Sequence, residues 1–561
     1  FDRKDLSDEE LIDDRECIGN MKLVAQFQDQ RSIEYKYLFP EQEYKLKKGR
    51  SVIIANNNDP DRSDHAGTIK ELDQINRSLV LRKGFSKEKK QLPRTLSIGE
   101  KVMEHSRFEN LNKNIYNFCD NLLVNKKGYD ALKSFLNRDI PNIKGIKSGD
   151  KIIKSENFDK EIPNIISRLN SSYIFLQGGP GAGKTFHTAN AIVELIKKNK
   201  KIAVTANSHK VIHNLLERIE SIATEQDFDF KGLKKGNPND VDSFYDGKFI
   251  KTESNEKKYI DGLKDNKILL YGGTKYHLAS WFYRSKIDFL FIEEASQFSL
   301  ADCISLGGIA TNIVLVGDQQ QLGQPTQASH PNLSGSSVLE YLLEGKDTVP
   351  PDRGIFLTRT HRMHPNINNF ISENFYENKL LTDISAKSRK VNYPKNFYIN
   401  NDGIHTVLMN HADCSQTSEE EFKKIDEIIK KLTGQKFIDS DKTERPLTIS
   451  DFLIISPYNA QVNFLLERLP KGTRCGTIDR FQGQEAPITI ISMTSSDVEN
   501  LPRDKSFFFN RNRLNVAVSR AQCSSIVLLN PQLLEAPPKT LEEFKMINNF
   551  NKLLKYKTKT N

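Results

Sequence analysis

One eight-residue run contains most of the side chains that could do chemistry. Residues Gly178 to Thr185 read Gly-Gly-Pro-Gly-Ala-Gly-Lys-Thr, which fits the pattern GxxxxGK[ST]. Glycines in this pattern let consecutive backbone N–H groups turn toward phosphate oxygens, and the helix that follows adds its positive N-terminal end. Lys184 supplies a full positive charge, and the Thr185 hydroxyl is placed to hold Mg²⁺ between the terminal phosphates. The run therefore predicts binding of ATP or GTP.

The residues on either side of the loop have the periodicity that this motif requires. Tyr173 to Gln177 is an apolar strand that leads into the loop, and Thr185 to Lys197 is predicted to form a helix with Ile192, Val193 and Ile196 on its buried side. A glycine-rich loop can match the pattern by chance. The strand before it and the helix after it favour a phosphate-binding loop.

Acidic residues at the end of another apolar strand could carry out hydrolysis. Asp288 begins the run Asp-Phe-Leu-Phe-Ile-Glu-Glu, in which we expect Glu293 to serve Mg²⁺ and Glu294 to act as the base for the attacking water. Two acids at a strand end could instead cap the next helix, but the phosphate loop favours the catalytic interpretation. Gln321, which follows a further strand in the run 317–322, could sense the terminal phosphate.

Two arginines in the second half of the chain are suited to a transition-state phosphoryl group. Arg362 lies in Thr-His-Arg-Met-His-Pro, and Arg520 lies in Asn-Arg-Leu-Asn-Val-Ala-Val-Ser-Arg-Ala, which ends at Ala521. For a lone arginine, a surface ion pair would be the alternative. If both arginines reach the nucleotide from across a cleft, ATP would hold two domains together and hydrolysis would release them.

The elements that must position these residues form two series. From Ser171 onward, apolar strands alternate with helical segments, which is typical of open parallel sheets. The strands predicted for the first sheet are Ile202 to Thr205, Ile268 to Tyr271, Phe289 to Ile292 and Ile313 to Val316. Those predicted for the second sheet are Val407 to Leu408, Phe452 to Ser456, Ile488 to Ser492 and Ser525 to Leu529. We expect the ligand to bind between the two sheets.

The remaining segments suggest smaller attachments. Short strand-like runs are predicted at Glu43 to Leu46, Ser51 to Ala55, Thr68 to Leu72 and Ser78 to Arg82, and they are typical of a small β-barrel. Apolar residues at helical spacing between about Ile98 and Leu136, of which Val102 is the first, predict a helical stalk, and Thr224 to Lys264 is predicted to be a polar surface insertion. The predicted boundaries are 1–32, linker or remnant of an upstream domain; 33–96, barrel; 97–168, stalk; 169–350 and 351–540, motor domains; and 541–561, basic tail.

Composition narrows the class of protein. The chain has 561 residues, which favours more than one large domain, and a net charge of +9, which permits binding to nucleic acid. Its six cysteines are far apart and form no CxxC pair, so the sequence encodes neither a zinc site nor an iron–sulfur cluster. Sparse thiols and the lack of an apolar stretch of membrane-spanning length predict a cytoplasmic protein without a membrane partner.

The order of motifs along the chain carries a family resemblance. GGPGAGKT, VTANSHK, FIEEASQ, GDQQQL, THRMHP, SPYNAQ, TIDRFQGQE and LNVAVSRA follow one another, and residues 33 to 535 resemble superfamily 1 helicases. Within these, the chain is similar to relatives of nonsense-mediated-decay factors, to the nuclease-helicases of Okazaki-fragment processing, and to the helicase half of bacterial proteins with a RecB-like nuclease domain. We expect such a nuclease ahead of Phe1, and no nuclease activity in the residues present, which lack a PD…ExK set.

The resemblance implies a fold and a set of site residues. It implies two RecA-like P-loop NTPase domains, preceded by a β-barrel and a stalk, in an α/β protein. It assigns to ATP and Mg²⁺ the loop residues Gly178, Gly179, Pro180, Gly181, Ala182, Gly183, Lys184 and Thr185, with Glu293, Glu294, Gln321, Arg362 and Arg520, as well as His361 at adenine and Glu485 at the ribose. It assigns to the nucleic-acid backbone Ser208, His209, Thr274, Tyr458 and Thr477.

Three positions depart from the family pattern. Glu293 stands where aspartate is usual, so Mg²⁺ would be held through water. His361 stands where tyrosine is more frequent, which would weaken adenine stacking or make it depend on pH. The glutamine that reads adenine in many relatives is not recognisable between Ile153 and Leu169. These departures leave the choice of nucleotide open.

The resemblance implies an ATP-dependent helicase or translocase that moves 5′ to 3′ along single-stranded nucleic acid. DNA is favoured over RNA, and we expect a monomer that acts in DNA repair. The alternatives are an RNA helicase, an ATPase that clamps nucleic acid or remodels its complexes without unwinding, and a binding module that no longer hydrolyses ATP. The intact Lys184, Glu294, Arg362 and Arg520 argue against the last.

Overall fold

The protein is described from a computed structural model. The residues that it describes are 17–29, 32–42, 44, 46–49, 51–54, 65–84, 96–98, 108–124, 127–237, 240–262, 265, 267–279, 287–324, 332–481, 483–496, 508–535 and 537–558. The chain divides into two compact units, Phe1–Lys113 and Asn114–Asn561.

The first unit contains a seven-stranded antiparallel sheet. Its strands are β1 (Cys17–Ile18), β2 (Lys22–Asp29), β3 (Ser32–Leu38), β4 (Ser51–Ile53), β5 (His65–Asp73), β6 (Ser78–Gly84) and β7 (Leu96–Ile98), in the order β1-β7-β4-β5-β6-β3-β2. In β3 the apolar residues Ile33, Tyr35 and Tyr37 are buried and alternate with Glu34 and Lys36, as expected for a half-buried strand. Closure of the sheet into a barrel stays a prediction.

This sheet begins earlier than the predicted boundary at residue 33. Strands β1 and β2 lie in the segment 1–32 that was interpreted as a linker or remnant. Strand β2 lies at an edge of the sheet, and its apolar residues Leu23, Val24 and Phe27 are exposed, so its sequence shows no clean alternation.

The four strands predicted for this unit have different outcomes. Thr68 to Leu72 and Ser78 to Arg82 lie within β5 and β6. The predicted strand from Ser51 to Ala55 is confirmed as far as Ile53, where β4 ends; Ile54 follows the strand, and Ala55 lies outside the described residues. Glu43 and Lys45 also lie outside them, so the run from Glu43 to Leu46 stays a prediction.

In the part of the predicted stalk that the structure describes there are three helices. They are α1 (Phe108–Leu123), α2 (Asp130–Leu136) and α3 (Phe158–Ser167). Helix α3 buries Ile162, Ile165 and Ile166 in the core around the first parallel sheet. Val102, where the predicted helical pattern starts, lies outside the described residues.

The first parallel sheet of the second unit has eight strands. They are β8 (Tyr173–Gly178), β9 (Ile202–Thr205), β10 (Lys231–Lys235), β11 (Ile250–Glu253), β12 (Ile268–Gly272), β13 (Ile287–Ile292), β14 (Ala310–Gly317) and β15 (Gly354–Leu357), in the order β11-β10-β12-β9-β13-β14-β8-β15. The helices that the structure describes around it are α4 (Lys184–Lys197), α5 (His209–Glu225), α6 (Glu256–Gly262), α7 (Lys275–Leu278), α8 (Leu300–Leu306) and α9 (Val338–Leu343). Each of the four strands predicted for this sheet lies within an observed strand.

Two predictions about this sheet are wrong. The segment from Thr224 to Lys264 is not only a surface insertion, because β10 and β11 extend the sheet at one edge. Its composition is misleading, since Lys234 on β10 is fully buried and its ammonium group donates a hydrogen bond to the Ser243 carbonyl. Strand β15 lies beyond the predicted boundary at residue 350, yet it pairs with β8.

The second parallel sheet has five strands. They are β19 (Gly403–Leu408), β22 (Phe452–Ile455), β23 (Arg474–Gly476), β24 (Ala486–Ser492) and β25 (Ala521–Leu529), in the order β19-β25-β24-β22-β23. Its four predicted strands are confirmed, apart from Ser456, which follows the end of β22. Strand β16 (Arg359–Thr360) pairs with β17 (Leu381–Thr382). A small three-stranded sheet has the order β18 (Lys390–Val391), β20 (Lys436–Ile438) and β21 (Glu444–Pro446).

Among the described residues of this lobe, the helices are α10 (Pro365–Phe375), α11 (Ile384–Lys387), α12 (Glu419–Leu432), α13 (Asn459–Arg468), α14 (Arg511–Val518) and α15 (Leu541–Asn551). The region predicted to be a basic tail contains α15 and a 3₁₀ turn, Lys552–Tyr556. Ile547, Phe550 and Leu553 are buried in the core of the lobe, which corrects that prediction. The prediction of a tail depended on the lysines from Lys552 to Lys559, although apolar residues at helical spacing precede them.

The two parallel sheets confirm the predicted α/β class with two nucleotide-binding-type lobes. Strand β8 is buried along its whole length, as expected for a strand covered on both faces by helices. Among the described residues, no helix is both long enough and apolar enough to cross a bilayer.

Candidate active site

The glycine-rich loop connects β8 to α4 in the first lobe. Gly181 and Gly183 have φ angles of 69° and 79°, in the left-handed region that glycine adopts without strain. Helix α4 begins at Lys184, so its N-terminal N–H groups face the loop. The Lys184 ammonium group donates a hydrogen bond to the Gly178 carbonyl at 2.7 Å. The motif has the strand, loop and helix that its pattern predicts.

A turn of the second lobe, residues 360–362, packs directly on this loop. The Thr360 hydroxyl donates a hydrogen bond to the Pro180 carbonyl at 2.8 Å, and the His361 N–H donates to the Gly181 carbonyl at 2.9 Å. A Cβ atom at Gly181 would lie 2.4 Å from the Cβ of Arg362. Glycine at this position is therefore required by close approach as well as by its φ angle.

A cavity of about 580 Å³ lies between the two lobes at this loop. It brings together most of the residues predicted to act on the nucleotide. Its lining includes residues 180–186, Ser208, Glu293, Glu294, Gln321, Arg362 and Arg520. The predicted phosphate loop, acids, glutamine and arginines thus share one space, although they come from segments more than 300 residues apart.

The two acids follow β13 at the edge of the cavity. Glu293 is 3% exposed, and among the described residues its Oε1 has no hydrogen-bond partner. Burial, together with the neighbouring Glu294, raises the pKa of Glu293 to about 8. Glu294 has a φ angle of 52°, a strained conformation for a non-glycine residue that is concentrated at functional sites.

The two arginines enter the cavity from the second lobe. Arg362 donates through Nε to Glu485 Oε2 at 2.5 Å, and through Nη1 to the Ser519 carbonyl at 3.3 Å. Arg520 is 2% exposed, and in the described part of the chain its Nη2 lacks a partner. Burial, with the nearby Arg362 charge, lowers the pKa of Arg520 to about 9. A buried guanidinium with an unused donor is suited to binding an anion.

Gln321 is held at the cavity by Asp318. Its Nε2 donates to Asp318 Oδ2 at 2.7 Å, and the same carboxylate oxygen accepts a hydrogen bond from the Tyr376 hydroxyl at 2.6 Å. Asp318 belongs to the first lobe, whereas Tyr376 follows α10 in the second. The position of the predicted phosphate sensor therefore depends on a contact between lobes.

Helix α14 makes further contacts across the cleft that the sequence analysis missed. Asn512 donates to the backbone carbonyls of Gln319 and Gln321 at 2.8 and 2.7 Å. Arg511 forms a bidentate pair with Asp347 at 2.9 and 3.1 Å. Asn512 is the first residue of the predicted arginine motif and Arg511 directly precedes it, but nothing in the sequence identifies their partners.

His361 and Glu485 do not line the cavity. The His361 side chain is 53% exposed, and its Nδ1 lies 3.4 Å from Asp383 Oδ1. Burial alone would raise the pKa of Glu485, but the Arg362 guanidinium and a hydrogen bond from Gln522 hold it below its ordinary value. Glu485 thus contacts the cavity through Arg362. The roles predicted for these two residues stay predictions.

The predicted nucleic-acid residues follow parallel strands in both lobes. Ser208 and His209 come after β9, and Thr274 comes after β12, so all three lie at the carboxyl edge of the first sheet. The Ser208 hydroxyl caps α5 by accepting a hydrogen bond from the Val211 N–H. Burial lowers the pKa of His209, and the Lys234 charge adds to this effect.

In the second lobe Tyr458 follows β22 and Thr477 follows β23. Tyr458 is only 3% exposed, its ring is stacked on Phe508 at 6.3 Å, and Ser495 Oγ donates to its hydroxyl at 3.3 Å. The Thr477 carbonyl accepts a hydrogen bond from the Arg480 N–H. Arg480 also lines the cavity, a role that the sequence analysis did not assign to it.

The chain is similar to known families and proteins in both of its parallel-sheet lobes. Two family models, each described as an AAA domain, match residues 163–326 and 335–532. The DNA replication ATP-dependent helicase/nuclease dna2 of Schizosaccharomyces pombe is 29% identical over 384 residues, which cover 63% of this chain and 26% of that protein. The corresponding DNA2 of Gallus gallus is 26% identical over 559 residues, which cover 93% of this chain and 52% of that protein.

A third relative, the ATP-dependent helicase upf1 of Schizosaccharomyces pombe, is 24% identical over 471 residues, which cover 72% of this chain and 48% of that protein. The chain thus spans about half or less of the length of these relatives. Among solved structures, an Arterivirus nonstructural protein 10 (helicase) in complex with DNA has a TM-score of 0.35 at 14% identity, with 70% of this chain and 65% of that chain covered.

Proposed function

We propose that this chain, a relative of the Dna2-like and Upf1-like superfamily 1 helicases, hydrolyses ATP with Mg²⁺ and uses the energy to move along single-stranded nucleic acid. The relatives and the two AAA-domain matches confirm the resemblance to superfamily 1 helicases that the order of motifs indicates. The activity of the whole protein is our proposal.

The observation that carries the proposal is the shared cavity of Lys184, Glu294, Arg362 and Arg520. Lys184 and the loop N–H groups would bind the phosphates, and Glu294 would accept a proton from the attacking water. Arg362 and Arg520 would stabilise the negative charge that develops on the transferred phosphoryl group. Since these cations come from both lobes, cleavage of the terminal phosphate weakens the attraction that holds the lobes together.

Thr185 and Glu293 fit the expected magnesium site. Both border the phosphate loop, and the unpartnered, buried Oε1 of Glu293 is the kind of oxygen that Mg²⁺ prefers. The ion would neutralise charge on the terminal phosphates. Its charge would also offset the burial that favours the protonated form of Glu293.

We further propose that Ser208, His209, Thr274, Tyr458 and Thr477 hold the nucleic-acid backbone at the carboxyl edges of the two sheets. Contacts to phosphate and sugar suit movement that does not depend on sequence. We favour DNA because two of the relatives are described as DNA replication helicase/nucleases. The 5′ to 3′ direction is proposed from the family resemblance of the motifs. We also propose that the protein acts in DNA repair, that it is located in the cytoplasm and that it works as a monomer.

The test combines ATPase and strand-displacement assays. Lys184→Ala and Glu294→Gln should each lower turnover at least about 100-fold relative to the wild type, whereas Lys197→Ala, an exposed lysine at the end of α4, should not. Wild-type turnover no faster than that of the two variants would refute the proposal.

Duplexes of DNA and RNA with a 5′ or a 3′ overhang determine the substrate. Displacement of the DNA duplex with the 5′ overhang supports the proposal. Displacement of RNA duplexes alone would identify an RNA helicase. ATP hydrolysis that is stimulated by single strands but displaces neither duplex would identify a clamp.

A further inference from the structure

Arg389 holds the turn that presents Arg362 to the cavity. It lies between α11 and β18 and is 9% exposed. Its Nη1 donates hydrogen bonds to two consecutive backbone carbonyls, those of His361 at 2.7 Å and Arg362 at 2.9 Å. Arg389 itself is not among the residues that line the cavity at the phosphate loop.

The other side of the Arg389 guanidinium is anchored in the small three-stranded sheet. Its Nε donates to Asp439 Oδ1 at 3.0 Å, and its Nη2 donates to the Ser440 hydroxyl at 3.2 Å. Asp439 and Ser440 belong to the hairpin between β20 and β21. Because a guanidinium group is planar and rigid, fixing Nε and Nη2 also fixes the direction in which Nη1 points.

The turn 360–362 is consequently held from two sides. The Thr360 hydroxyl and the His361 N–H bond it to the phosphate loop, while Arg389 binds the carbonyls that face the other way. A rotation of the backbone at His361 or Arg362 would break at least one of these contacts. The direction in which the Arg362 side chain leaves the turn is thereby set.

We propose that Arg389 is a positioning residue for Arg362, which it aligns for the transition state of phosphoryl transfer without contacting the nucleotide. This inference rests on the proposed ATPase function. Misplacement of a charged group by about 1 Å can reduce catalysis substantially, because its stabilising effect depends on its geometry in the transition state.

The first test compares Arg389→Ala and Arg389→Lys with a matched control. Both variants should lower kcat for ATP about tenfold or more and change KM less than about threefold, since lysine cannot reproduce the forked geometry. Arg445→Ala is the control, because Arg445 forms a bidentate pair with Asp451 at 2.7 Å in the same small sheet but does not contact the turn. Its kcat should equal that of the wild type.

The second test separates positioning from a general loss of structure. If Arg389 acts through Arg362, Arg389→Ala should lower kcat less than about twofold further in an Arg362→Ala background. ADP with aluminium fluoride should bind more tightly than ADP alone to the wild type, and Arg389→Ala should reduce this difference while leaving ADP affinity unchanged.

The outcomes distinguish this inference from the function on which it rests. If the wild type hydrolyses ATP and the Arg389 variants have the same kcat as the wild type, the inference about Arg389 is overturned but the ATPase function is not. If the reductions in kcat caused by Arg389→Ala and Arg362→Ala multiply in the double variant, the inference would also be overturned. A wild type no faster than Lys184→Ala would overturn the ATPase function and the inference with it. If Arg389→Ala does not fold, Arg389→Lys and Asp439→Asn provide the same comparisons.

Discussion

Replacing Tyr376 by phenylalanine should weaken the contact between the lobes. Tyr376 is completely buried, and its hydroxyl donates to Asp318 Oδ2 at 2.6 Å and accepts from Asn515 Nδ2 at 3.0 Å. Burial and the Asp318 carboxylate raise the pKa of Tyr376 well above its ordinary value, so the hydroxyl remains a donor at the pH of the assay. Phenylalanine keeps the ring and removes only the oxygen, so the change tests the hydrogen bonds.

The size of the effect follows from these partners. A hydrogen bond to a charged group contributes about 1.5 to 3 kcal/mol, and leaving a buried amide donor without its acceptor costs about 1 kcal/mol more. Asp318 keeps two donors, the Gln321 side chain and the Gln320 N–H. We therefore expect Tyr376→Phe to lower the free energy of unfolding by about 2.5 to 4 kcal/mol.

The measurement is urea unfolding followed by circular dichroism, with Tyr173→Phe as the control. Tyr173 is equally buried but donates to a neutral backbone carbonyl, that of Asp139, at 2.7 Å, so its loss should cost only about 1 kcal/mol. A Tyr376→Phe protein that loses no more stability than Tyr173→Phe would refute the argument that this hydroxyl joins the lobes through a buried carboxylate.

The remaining predictions concern other contacts. Asp347→Asn and Arg511→Gln should show a coupling of about 1 kcal/mol in a double-mutant cycle of unfolding free energy, and additive effects would contradict a pair across the cleft. Burial, with the Lys234 and His209 charges, lowers the pKa of His213 to about 4. The unfolded chain therefore binds a proton more readily than the folded protein between pH 6.5 and 4, so the free energy of unfolding falls as the pH falls through this range. We expect the free energy of unfolding of His213→Gln to fall less than that of the wild type between pH 7 and 5. An equal fall in the two proteins would contradict this prediction. Asp227 is exposed directly after the end of α5 and has a φ angle of 49°, which glycine adopts with less strain than aspartate. We expect Asp227→Gly to raise the free energy of unfolding by about 0.5 to 1 kcal/mol, and thermal melting measures this change. A lower melting temperature would contradict the prediction.

The phosphate loop and the parallel strands could be predicted because their signals are local. The glycine spacing of the loop and the apolar runs before Glu293 and Gln321 each lie within a few residues of one another. Arg362 and Arg520 were found through their motifs, and the cavity contains both.

The residues and elements that the sequence did not predict depend on contacts that are not local. Tyr376, Arg511 and Arg389 are common residue types, and their importance comes from partners distant in the sequence. Strands β10 and β11 were missed because a buried lysine, Lys234, is stabilised by a hydrogen bond that composition does not reveal. Helix α15 was missed because the prediction of a basic tail depended on the lysines between Lys552 and Lys559, which follow the helix.

The placement of β15 has a mechanical consequence. The chain leaves this edge strand at Leu357 and reaches the turn at 360–362 within three residues, beside β8 and the phosphate loop. Thr274 follows β12, five strand positions away, or about 24 Å at 4.8 Å per strand. If the second lobe pivots near Thr358, a rotation of about 10° changes the distance at the hinge very little but shifts the lobes by about 4 Å at Thr274. A rotation about this short crossover would thus change the spacing of the lobes little at the phosphate loop and by about 4 Å at Thr274.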